Sequence, residues 1–158
     1  MRHVLAIALI LSAVQPDFAL AACTAESRPH RVPLLELYTS EGCDSCPPAD
    51  RWVSELPHRG LDASRVVVLA FHVDYWDRLG WVDRFGQQRF SERQRLLNSR
   101  NGARVVYTPQ LVLNGKDYRR GSVEAFSTRL ADIGRVDAKA NIRLVLKRAE
   151  DRLTVAGT

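Results

Sequence analysis

The sequence predicts an α/β fold, a central mixed sheet flanked by helices and followed by the start of a β-rich C-terminal segment. Three observations carry this. Val32 to Thr39 is an apolar run that empties into a polar turn, and a helix begins at Cys43-Asp44-Ser45-Cys46-Pro47-Pro48. Arg65 to Val73 is a second apolar run, and a strand–helix–strand of this length implies a right-handed parallel crossover. Asn114-Gly115 lies between two short strand-like runs, which predicts a type I′ hairpin and makes the sheet mixed.

The N-terminus stands apart from this domain. Met1-Arg2-His3 is a basic start, Val4 to Val14 is apolar, and Ala19-Leu20-Ala21 supplies small residues for cleavage. Residues 1–22 therefore read as a secretory signal peptide, too short to span a membrane as a helix. The expected location is periplasmic or secreted, a compartment permissive for disulfides. Leu20-Ala21-Ala22-Cys23 resembles a lipobox, so membrane attachment is expected only if Cys23 is acylated. Gln15-Pro16-Asp17 between the apolar run and the cleavage site favours simple cleavage instead.

Residues 24–31 are polar, carry Pro29 and read as a linker. In the first strand Leu34, Leu35 and Leu37 suggest burial on both faces, as in a central strand with a parallel neighbour. Glu36 inside that run is expensive to bury unless it is satisfied. Pro47 to Leu56 reads as a helix with Ala49, Val53 and Leu56 on one face, ended by Pro57. The two prolines suit only a first turn, which places Cys43 at or just before the helix N-terminus.

The second strand ends on the same sheet edge as the Cys-x-x-Cys turn, where open α/β sheets place their sites. There His72-Val73-Asp74-Tyr75-Trp76-Asp77 and Gly80-Trp81-Val82-Asp83 gather two of the three tryptophans with several acids. One reading makes this loop a wall of the active site, with His72 or Asp74 exchanging protons with the cysteines. The other makes the tryptophans core anchors and the acids caps. Phe85 to Asn101 reads as a helix with Phe90 and Leu97 on one side and Arg89, Arg93 and Arg100 on another. Ser122 starts a last helix through Val123, Phe126, Leu130 and Ile133. Residues 138–158 alternate as a β-hairpin, the expected fragment of a truncated C-terminal β domain.

The chain carries a formal charge of +5, with seven arginines against Asp83 and Glu92 between Arg78 and Arg104. Without interleaved stacking aromatics this reads as a solvated helix face, and no nucleic-acid partner is expected. Three cysteines are too few for a disulfide scaffold. The Cys43/Cys46 pair has three readings: a redox pair, half of a metal site, or a structural bridge. Structural zinc needs a further Cys or His pair at short spacing, which the chain lacks, and a bridge closing so short a loop stabilises little. Redox chemistry is favoured, with no cofactor.

The order of Cys-x-x-Cys at a helix start, Thr108-Pro109 before a strand, an Asn-Gly hairpin and a final helix resembles the thioredoxin fold over residues 31–134. That resemblance implies that Pro109 is cis and packs against the cysteine pair, and that Glu36 stands in for the buried proton-relaying acid. More closely, Glu36 through Asp50, Phe71 through Asp77 and Tyr107 through Gln110 resemble a bacterial family of secreted thioredoxin-like proteins catalogued as a domain of unknown function. It implies export and a β-rich C-terminal part, but no established substrate. Gly42 before the first cysteine and Asp44-Ser45 between the pair depart from thioredoxin itself.

The expected activity is thiol–disulfide exchange with exported protein thiols and disulfides and a redox partner protein. Cys43 would attack and Cys46 resolve, with Glu36 and Pro109 in the catalytic group. Thr108, His72, Asp74 and Trp76 would contact the substrate. Two alternatives stand beside it: a copper-binding module using Cys43, Cys46 and His72, and a redox-inactive interaction domain.

Overall fold

The computed structural model describes residues 22–149 and 151–158. Apart from Ala22, the expected signal peptide lies outside the described residues. Described elements run β1 (Ala22–Glu26), β2 (Leu34–Thr39), α1 (Pro47–Glu55), β3 (Val67–His72), α2 (Gln88–Arg100), β4 (Gln110–Leu113), β5 (Lys116–Tyr118), α3 (Val123–Gly134), β6 (Arg143–Ala149) and β7 (Arg152–Gly157). They form two compact units, Arg28–Asn141 and Ile142–Thr158 with the residues up to Ser27.

The larger unit is built on a four-stranded mixed sheet of order β3-β2-β4-β5. Strand β2 runs parallel to β3 and antiparallel to β4, with Leu37 opposite Ala70 on one side and Leu111 on the other. Its central place explains its apolar run. Asn114 and Gly115 take positive φ between β4 and β5, as an Asn-Gly turn requires, and Asn114 exchanges two 2.8 Å hydrogen bonds with the backbone of Leu34.

Leu35 and Leu37 of β2 and Leu111 and Leu113 of β4 face α1 and α3, where Ala49, Leu56, Phe126 and Leu130 complete an apolar core. Helix α1 starts at Pro47 because neither proline has an N–H to leave unpaired, and Cys46 is its N-cap residue. Ser122 caps α3 by accepting the Ala125 N–H.

The opposite face is different in kind. Helix α2 is shorter than the expected Phe85–Asn101, and its buried residues are Ser91, Gln94 and Asn98 rather than an apolar stripe. The reason lies in the strands beneath it, because β2 and β4 present Glu36 and Gln110 to this face, both almost fully buried. Arg93 pairs with Glu36, its Nη2 at 2.6 Å and Nε at 2.8 Å from Oε1. Gln94 and Asn98 donate to Gln110 Oε1, at 2.8 and 3.4 Å, and Gln110 returns a 2.9 Å bond to Asn98 Oδ1. Tyr38, Val73 and Val112 form a smaller apolar cluster alongside. Strand β3 is the sheet's edge and leaves Val67 and Leu69 exposed, so its apolar run marks an edge strand with one open face.

In the smaller unit β6 pairs with both β1 and β7, all antiparallel. Residues 24–26, expected as linker, are strand. Thr24-Ala25-Glu26 carries no apolar alternation, and what makes it strand is its pairing with Arg143 to Val145 of β6, a signal no local pattern contains. The hairpin 138–158 is thus part of a three-stranded sheet beginning at Arg143. Leu144, Leu153 and Val155 are exposed on it.

Replacing Gln110 with Ala strips one partner from the Gln94 amide nitrogen and, among the described residues, the only side-chain donor from Asn98 Oδ1 in a buried setting, at a cost of about 2–3 kcal/mol. Urea unfolding is expected to show that loss as a lower midpoint with an unchanged slope.

Candidate functional site

Cys43 and Cys46 form a disulfide at the head of α1, with their Cα atoms 5.4 Å apart. The helix starts at Pro47, as the paired prolines predict, so Cys46 takes the cap position and Cys43 lies three residues before it. The turn is held by Cys43 N–H to Ser40 O at 3.1 Å and by Gly42 N–H to Ser40 Oγ at 3.1 Å. Cys46 is fully buried, whereas Cys43 keeps 2% of its surface.

Two hydroxyls reach Cys43. Thr108 Oγ1 donates to its Sγ at 3.3 Å, and Ser45 Oγ lies 3.5 Å from the same atom. Thr108 precedes a cis peptide bond to Pro109. Trp76 Nε1 donates to Thr108 Oγ1 at 2.7 Å, so indole, hydroxyl and sulfur form a continuous chain. Of the residues expected to contact substrate, Thr108 and Trp76 are brought to the disulfide.

His72 and Asp74 are engaged elsewhere. His72 Nδ1 is 2.7 Å from Asp83 Oδ2, and the Asp74 carboxylate accepts a short hydrogen bond from Ser91 Oγ. Asp83 is the hub of the loop, because its carboxylate also accepts the N–H groups of Glu41 and Phe85, each at 2.8 Å. Burial pushes its carboxyl up, but the Glu41 N–H, the His72 ring and the Phe85 N–H outweigh that and hold it below the usual carboxylate range. Trp81 Nε1 donates to Glu41 Oε2 at 3.0 Å, which ties the same loop to the turn before Cys43. Gly42 packs against the same loop: a Cβ there would stand in ordinary van der Waals contact, 3.4 Å from Trp76 Cβ and 3.6 Å from Trp81 O.

Glu36, expected as the proton relay, is bound to Arg93 under α2, on the sheet face opposite the one α1 covers. No hydrogen bond joins it to either cysteine among the described residues. Burial, then the charge of Glu36, pushes the neighbouring Tyr38 phenol up to about 12. Among the described residues no group of three or more His, Cys, Asp or Glu side chains is arranged to hold a metal, so the copper reading has no assembled site.

Ser45, Asp83 and Arg93 were not singled out by sequence reasoning. Ser45 was legible as a hydroxyl between two cysteines. The partners of Asp83 and Arg93 lie 11 and 57 residues away, a separation that spacing cannot register.

Fold and site together define a mixed α/β protein with a disulfide at a helix start beside a cis-proline. The chain matches the family described as protein of unknown function (DUF1223) over residues 34–158, and it belongs to that family. It is also similar to the crystal structure of a protein from Agrobacterium tumefaciens, at 32% sequence identity and a TM-score of 0.58. That match covers 78% of this chain but 59% of the other, so the present chain spans little more than half the length of that relative. No curated protein matches it. Among the described residues no helix is long and apolar enough to cross a membrane.

Because Asp83 is held below its unfolded value, it contributes stability above the ordinary carboxylate range near about pH 4, and loses it as pH falls through the folded-state value. Wild type is therefore expected to exceed Asp83→Asn in urea midpoint at about pH 6, with the gap narrowing towards about pH 3. A gap independent of pH would show that the charge of Asp83 is not what stabilises the loop.

Proposed function

We propose that the chain is an exported thiol–disulfide oxidoreductase of thioredoxin-like architecture, acting through Cys43 and Cys46. The observation that carries this reading is the hydrogen bond from Thr108 Oγ1 to Cys43 Sγ, delivered by the residue before a cis-proline. The order β2-α1-β3-α2-β4-β5-α3, with α1 and α3 on one sheet face and α2 on the other, supports the architectural part. Export is supported by the N-terminal sequence and is compatible with the disulfide.

The chemistry follows from exposure and donors. Cys43 is the sulfur that receives the Thr108 hydroxyl, and Cys46 is fully buried, so exchange begins at Cys43. A partner thiolate attacks Cys43 Sγ, a mixed disulfide forms, and the Cys43–Cys46 bond breaks with its electron pair leaving on Cys46. In the reverse direction the Cys43 thiolate attacks a partner disulfide, and Cys46 then displaces the partner's sulfur. Thr108 Oγ1 donates to the charge that develops on Cys43 Sγ, and such charge-assisted bonds are among the stronger ones. Ser45 offers a second hydroxyl at longer range. Glu36 is left out of this scheme because Arg93 holds it on the other face.

Two measurements test the reading. Equilibration against glutathione is expected to give a reduction potential between about −270 and −120 mV, whereas a value well below about −300 mV would make the bridge structural. Cys46→Ala is expected to accumulate mixed disulfides through Cys43 with exported proteins, and a Cys43→Ser/Cys46→Ala double variant none. Thr108→Val removes the donor to sulfur and is expected to slow exchange by about tenfold, the worth of one hydrogen bond to a charged group. Stopped-flow tryptophan fluorescence follows that rate.

A further inference from the structure

A cavity of about 210 Å³ opens next to the residues that flank the disulfide, lined among others by Ser45, Pro109, Tyr107, Tyr118, Arg119 and Arg120. Its position is set by the residues already described, since Ser45 approaches Cys43 Sγ and Pro109 follows the threonine bonded to it. Its charge is set by the two arginines after β5. Both are exposed, and neither has an acidic partner within ion-pair distance among the described residues.

Arg120 does not hang free. Its Nη1 donates to Pro48 O at 2.7 Å, which pins the guanidinium across the cavity to the first turn of α1. A guanidinium has five N–H donors, so this tether leaves a fork for a carboxylate. Asp117, the acid nearest in sequence, is already engaged, since its Oδ1 accepts from Tyr107 Oη at 2.7 Å and Gln110 Nε2 at 2.9 Å. The cavity thus joins two aromatic rings and two cations outside ion-pair distance of any acid among the described residues, and Ser45 on its wall reaches Cys43 Sγ at 3.5 Å.

Resting on the redox reading above, we propose that this cavity is a subsite selecting protein partners whose reactive cysteine is flanked by acidic residues. The partner's carboxylate seats against Arg119 and Arg120 while its thiolate attacks Cys43 Sγ. The new bond joins the partner's sulfur to Cys43, and the old one breaks with its electron pair on Cys46, so the co-reactant is the acidic cysteine segment itself. Such pairing speeds encounter and fixes orientation, and it weakens with salt.

The test compares reduction of the intact chain's disulfide by two blocked peptides, one with a cysteine flanked by glutamates and one with it flanked by glutamines. Arg119→Ala/Arg120→Ala is expected to slow the glutamate peptide by about fivefold, as for one or two exposed ion pairs, and to leave the glutamine peptide unchanged. The ratio of wild type to variant for each peptide cancels the peptides' own thiol reactivities, and the glutamine rate reports that the variant is folded. A control with equal charge loss on α2, Arg89→Ala/Arg100→Ala, is expected to change neither rate. Equal slowing of both peptides, or the same discrimination lost in the control, overturns the subsite while leaving exchange at Cys43 standing. Failure of wild type to react with either peptide overturns the redox reading, and the subsite with it.

Discussion

Gln110 begins β4 on the face that α2 covers, and almost none of it reaches solvent. A primary amide buried there needs partners for both its oxygen and its N–H groups, and each one missing costs as much as a sizeable part of a domain's stability. Asn98 and Gln94, one turn apart on α2, meet that need. The same two side chains also reach the carbonyls of Val105 and Tyr107. One buried amide on the strand therefore fixes which residues α2 turns inward and where the chain runs just before Thr108 and Pro109. The geometry at Cys43 is inherited from this cluster, several residues removed from the sulfur.

The two faces of the sheet divide the work accordingly. The face under α1 and α3 is apolar and anchors the helix that carries Cys46. The face under α2 is held by an ion pair and an amide cluster, and such contacts are directional where apolar packing is not. Glu36 illustrates the difference. Removing its partner Arg93 would leave an uncompensated buried carboxylate, a far larger loss than removing any single methyl group on the other side. This face is thereby suited to fixing a segment in one position, which is what a site beside a cis-proline needs.

Strand, turn and helix were legible around Cys43 because apolar runs, paired prolines and Asn-Gly each carry a local physical cause. The mixed sheet followed from the crossover and the hairpin. Three features were not legible for a common reason. The polar underside of α2 looks like surface until Glu36 and Gln110 are placed beneath it. Strand β1 looks like linker because β6 specifies it from more than a hundred residues away. The engagement of His72 with Asp83 rather than with a cysteine depends on a loop path that no spacing rule contains. Thr108 and Trp76 were named as candidates from their places in the sequence, yet the indole–hydroxyl–sulfur chain joining them appears only in three dimensions.

That chain also settles its own direction. An indole N–H donates and never accepts, so Trp76 must occupy a lone pair of Thr108 Oγ1. The single hydroxyl proton is then free to point at Cys43 Sγ, 3.3 Å away. A threonine without the tryptophan would be free to rotate its proton towards other acceptors, including its own backbone. With the tryptophan in place, the donor stays aimed at the sulfur before any charge arises there. The arrangement comes with little access, since Cys43 keeps only 2% of its surface and the loop that carries Trp76 is tied down through Glu41 and Asp83. Preorganisation of the donor and exposure of the sulfur pull in opposite directions. Asp83 sits at the point where they meet, holding the loop in the position that aims Trp76 at the threonine.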